Sequence, residues 1–117
     1  MANLDRLMSI SGAVAAGEFA PNGELVAYKG GFPEETACLI AKLCAANTLM
    51  GDTETDSLSQ ATGMNWRPCY GWTLWAGDYS LCVIGHIGVC VETAKANFND
   101  IYKILSDEAH VPLRTAA

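Results

Sequence analysis

Residues 69–92, CYGWTLWAGDYSLCVIGHIGVCVE, decide the fold. Gly77-Asp78 and Gly85-His86 each place glycine first, as a two-residue hairpin turn of the II′ kind prefers. They divide the stretch into three extended runs, Cys69–Ala76, Tyr79–Ile84 and Ile87–Glu92. Pro68 cannot donate to a ladder, so the first run starts after it or lies on a sheet edge. Turning at Gly85-His86 sets Cys82 opposite Val89 and Cys90 opposite Leu81, on opposite sides of the sheet. Alternation puts Tyr70, Trp72 and Leu74 on one face and Thr73 and Trp75 on the other.

Downstream, Thr93 fits the cap of a final helix in which Ala94, Phe98, Ile101, Tyr102 and Leu105 form one stripe. Upstream, Ala13–Ala20 and Glu24–Lys29 are extended runs joined by Pro21-Asn22-Gly23, a hairpin. Before it, Asn3–Ile10 carries Leu4, Leu7 and Met8 at helical spacing, with Asn3 as N-cap. Between hairpin and three-stranded run, Gly30-Gly31-Phe32-Pro33-Glu34-Glu35 reads as a helix entry, with Pro33 at the first helical position and acidic residues complementing the dipole. That helix is expected from Glu34 to about Thr53, and Gly51–Asn65 as its end plus a polar loop. The expectation is an α/β chain of the α+β type, a single domain over residues 1–117. Its five-stranded antiparallel sheet is sandwiched between helices in the order α-β-β-α-β-β-β-α.

Of the 117 residues, 50% are apolar and 17% charged, a globular composition. Seven Lys and Arg stand against 13 Asp and Glu, and a net charge of −6 without a basic stripe argues against a nucleic-acid partner. The longest apolar stretch, Leu81–Val91, is interrupted by Gly85, His86 and Gly88 and falls short of the ~18 residues a membrane helix needs. The opening Met-Ala-Asn-Leu-Asp-Arg does not read as a signal peptide, so the expected setting is cytoplasmic, without a membrane partner.

Cys38, Cys44, Cys69, Cys82 and Cys90 are odd in number and form no C-x-x-C pair, which speaks for reduced structural thiols. Cys69, beside Pro68, is the candidate for residual reactivity. His86 at a turn tip and His110 in a terminal segment read as solvated, and Asp52, Glu54 and Asp56 as an acidic loop lacking the calcium motif. Gly30-Gly31 lacks either phosphate-binding string, and no G-x-S-x-G is present. No catalytic residue, cofactor or metal is therefore expected. Trp66, Tyr70, Trp72, Trp75 and Tyr79 have two readings, core or dimer seam on one side and an external partner site on the other.

The pattern Leu7-x-x-Ile10-x-Gly12-Ala13-Val14, followed by Asn22-Gly23-Glu24-Leu25-Val26, resembles the opening helix and hairpin of the roadblock / dynein light-chain family. With the order of elements, the resemblance spans Leu4 to about Ala109. The stretch Asn65–Trp72 departs from the best-known eukaryotic members and looks like a prokaryotic branch. The resemblance implies a roadblock / profilin-like fold and a homodimer in which long helices pack together and the third strands meet. It also implies a non-enzymatic scaffold or regulator, of the bacterial gliding-motility type that binds a small Ras-like GTPase. Leu43, Asn47, Met50, Trp72 and Leu74 are the expected dimer residues, with Ala41, Ala45 and Ala46 permitting close approach. Trp66, Arg67 and Trp75 are expected to face an external protein. The alternative is a small-ligand or redox sensor using the aromatic cluster and the thiols.

Overall fold

The computed structural model describes residues 2–111. The three runs of the deciding stretch form β3 (Gly71–Ala76), β4 (Tyr79–Ile84) and β5 (Ile87–Glu92), two residues shorter at the start than expected. Their turns are those read from the glycines. Gly77 and Gly85 have φ of 41° and 59°, while among the described non-glycine residues only His110 is positive, so each turn is left-handed at its first central residue alone. The register follows to the residue, with Cys82 opposite Val89, Leu81 opposite Cys90 and Trp72 opposite Val83.

The first hairpin, β1 (Ala13–Phe19) and β2 (Leu25–Gly30), joins this meander through β1 and β5. The antiparallel sheet runs β2-β1-β5-β4-β3, leaving β2 and β3 as its edges. Helix α1 (Leu4–Met8) is capped by the Asn3 side chain, as expected, and lies with α3 (Phe98–Glu108) on one face. There Leu7, Ile10, Ala16, Cys82, Ile84, Ile87, Val89, Val91, Ile101 and Leu105 close into one core. The other face, with Phe19, Val83, Leu81 and Trp72, is covered by α2 (Glu34–Thr62). Both faces are buried, which is why β4 and β5 are apolar at consecutive positions.

Three local expectations are corrected. Helix α2 runs 29 residues, about 44 Å, so Asp52, Glu54 and Asp56 lie on a helix and not in a loop. Its last turns lose the apolar rhythm because they are covered by residues 64–70 rather than by the sheet: buried Ser59 accepts the Trp66 N–H at 2.9 Å, and Gly63 closes the helix in the left-handed conformation. Pro33 is the N-cap residue, with ψ of 152°, and Glu34 is the first helical residue. Thr93 opens only a 3₁₀ turn, Thr93–Lys95, which contains Ala94, and the Asn97 side chain caps α3 by accepting from Asp100. Thr93 is otherwise engaged, its hydroxyl 2.8 Å from that of buried Ser80.

Candidate functional site

Helix α2 is apolar on two opposite sides. At 100° per residue, Ala37, Ala41, Cys44, Gly51 and Ser59 turn inward, where they are buried or half-buried. Leu39, Leu43, Ala46 and Met50 follow at intervals of four, three and four on the outward side, with Leu39, Leu43 and Met50 exposed by 57, 53 and 60%. Four aligned side chains of this kind form a continuous stripe on a helix whose other face already has its sheet. Ala41 and Ala45, expected to admit a mate, instead bring α2 close to its own sheet, and Ala46 alone of the three is exposed.

The predicted seam residues fall into two groups on this side of the sheet. Leu43, Asn47 and Met50 are exposed on α2, Asn47 flanking the stripe. Trp72 and Leu74 share the α2 face of edge strand β3, opposite Val83 and Leu81. Trp72 is half-buried because its indole N–H donates to Thr48 Oγ1 at 3.0 Å, filling the angle between β3 and α2, whereas Leu74 is open. Leu39 was not among the residues expected at the seam, although its 4-3-4 spacing with Leu43, Ala46 and Met50 carried the signal.

The residues expected to face an external partner are not brought together. Trp66 and Arg67 fold back on the end of α2, the Trp66 indole donating to Thr62 Oγ1 at 3.1 Å and Arg67 Nε lying 3.6 Å from Asp56. Trp75 sits on the opposite face of the sheet, 74% exposed, its ring 5.7 Å from that of Phe98.

All five cysteines are free. Burial pushes the Cys44 thiol up to about 12 and the Cys90 thiol up to about 11, and both line an apolar cavity of about 40 Å³ between α2 and the sheet. Ligand pockets usually span about 300–1,000 Å³. Burial also raises the Cys69 thiol, with Asp52 adding to the effect, against the reactivity expected of it. A larger groove of about 600 Å³ separates α3 from β3 and β4, open to solvent and lined by no charged residue. Among the described residues no three potential ligands cluster as a metal site, and no helix is long and apolar enough to cross a membrane.

The fold is that of solved roadblock structures. It is similar to a Roadblock/LC7 domain from Streptomyces avermitilis, with a TM-score of 0.74 at 13% identity, covering 91% of this chain and 87% of that one. It is also similar to Myxococcus xanthus MglB, with a TM-score of 0.68 at 18% identity, covering 92% and 89%. The gliding protein MglB of Thermus thermophilus is similar with a TM-score of 0.66 at 16% identity, covering 92% and 84%. No curated protein matches the sequence. Residues 3–107 match the model of one protein family, and the chain belongs to that family, described as "Uncharacterized conserved protein (DUF2173)".

Proposed function

We propose that the protein is a non-enzymatic, homodimeric regulatory module that binds another protein, with a small Ras-like GTPase as the expected partner class. The observation that carries this reading is the outward stripe of α2, Leu39, Leu43, Ala46 and Met50, whose large side chains are more than half exposed. An exposed edge strand on the same sheet supports it: β3 presents unpaired backbone groups, and Leu74 beside them is 52% exposed. A second copy would cover stripe and edge together. The roadblock fold, shared with MglB proteins that include the gliding protein of Thermus thermophilus, supports the regulatory class.

Trp66 and Arg67, at the far end of α2, are the proposed contacts for the partner, outside the stripe. The thiols favour this reading over a redox sensor, because burial holds Cys44 and Cys90 in the unreactive protonated form. Replacing Leu43 and Met50 together by glutamate puts two charges into the seam. The variant is expected to halve the molar mass measured by light scattering while retaining the far-ultraviolet circular dichroism of the parent. An unchanged mass would refute the seam.

A further inference from the structure

The backbone of β3 limits how a second copy can add to it. The two-residue turn makes Ala76 and Tyr79 a hydrogen-bonded pair, and the Gly85 N–H donates to the Tyr70 carbonyl at 2.9 Å. Such pairs alternate in an antiparallel ladder, so even-numbered residues of β3 bond to β4, and Gly71, Thr73 and Trp75 turn their N–H and C=O groups to the open edge. A two-fold axis perpendicular to the sheet keeps each face on its own side. Directly opposed residues must therefore share a face, and the axis must pass midway between one residue and its own copy: Trp72, Thr73 or Leu74. Centring on Thr73 pairs Thr73 with itself and Gly71 with Trp75, engaging all three outward residues in about six hydrogen bonds. Centring on Leu74 pairs Thr73 with Trp75 and leaves Gly71 opposite the turn at Gly77, and centring on Trp72 strands Trp75 beyond Gly71.

The side chains point to the same register. On the α3 face, Trp75 is the most exposed large apolar residue of the described chain, and Gly71 contributes no side chain. Beside Gly71 the 600 Å³ groove opens, lined by Tyr70, Ile84, Tyr102 and Leu105, with no charge to oppose an indole. Gly71 is held as glycine by β4, since a Cβ there would lie 2.2 Å from the Val83 carbonyl oxygen.

We propose that the β3 edges of two copies pair in the register centred on Thr73, and that Trp75 of each copy enters the groove of the other over Gly71. The groove is incomplete in one copy and is filled by the second. This rests on the homodimer proposed above and specifies its register.

Cross-linking tests it. In a Cys82→Val background, which removes the thiol facing position 73 across β4, Thr73→Cys should give a disulfide-linked dimer whose bridge maps to position 73 of both copies. Its Cα atoms would lie about 5.5 Å apart, within disulfide reach. Leu74→Cys should not cross-link, because positions 74 would be diagonal, about 7–8 Å apart. Independently, Trp75→Ala should raise the dimer dissociation constant about tenfold or more, as loss of a buried aromatic anchor does. A wild-type dimer that cross-links through position 74 or 72, or that keeps its affinity without Trp75, overturns the register and leaves the dimer standing. A monomeric wild-type protein overturns both.

Discussion

Cys44 and Cys90 approach the same small cavity from α2 and β5, and each is surrounded by hydrocarbon. A thiolate there would lose its hydration without gaining a cation, so the thiol form persists far above neutral pH. Both cysteines should therefore stay silent to a disulfide reagent at pH 7.5 and react only as the chain unfolds in denaturant. A fast phase assigned to either by peptide mapping would contradict their structural role. Trp72 shows the same economy, since its indole N–H is satisfied within the chain by Thr48. Among the described residues the Trp75 indole N–H has no such partner and the only aromatic ring it meets is that of Phe98, which separates two tryptophans that the sequence sets three residues apart.

Helix α1 spans only five residues, too few to be stable alone, and is tied to the end of α3 through Asn3 and Arg6. Arg6 reaches Asp107 and Glu108 at the end of α3, and Glu108 also accepts the Asn3 N–H at 2.7 Å. The Asn3 and Arg6 bonds hold the Glu108 carboxyl below its usual value, and Arg6 does the same for Asp107. A carboxyl whose folded value is depressed contributes stability above its unfolded pKa and loses it as pH falls through the folded value, here below about pH 4. Arg6→Met should therefore flatten the acid limb: between pH 5 and pH 3 the melting temperature of the wild type should fall further than that of the variant. Parallel curves would contradict the tie. Among the elements, those punctuated by glycine were legible from sequence, because Gly77 and Gly85 fix turns and turns fix register. The final third of α2 was not, because buried Ser59 faces the covering segment through a hydrogen bond to Trp66 rather than apolar contact, and the Thr55 hydroxyl turns back to the Asp52 carbonyl of its own helix. The start of α3 misled for a related reason: Thr93 and Asn97 are both good caps, and only the tertiary bond to Ser80 decides which is used.

At the scale of the whole molecule, β4 and β5 at the middle of the sheet are buried on both faces, the sheet is open at both edges, and one helix carries a second apolar side. Leu43 and Met50 were named as seam candidates through the family resemblance, and Leu39 was within reach of the same spacing; the separation of Trp75 from Trp66 required the fold, since it depends on which face each element turns inward. A stripe of leucine and methionine beside an unpaired strand is costly to leave in water, and the proposed pairing of two copies would remove both exposures at once. The measurement that bears most directly on this is the molar mass of the wild-type protein by sedimentation equilibrium at tens of micromolar. The account predicts twice the chain mass of 12.4 kDa, falling toward the chain mass on dilution. A single species of 12.4 kDa across the concentration range would contradict it.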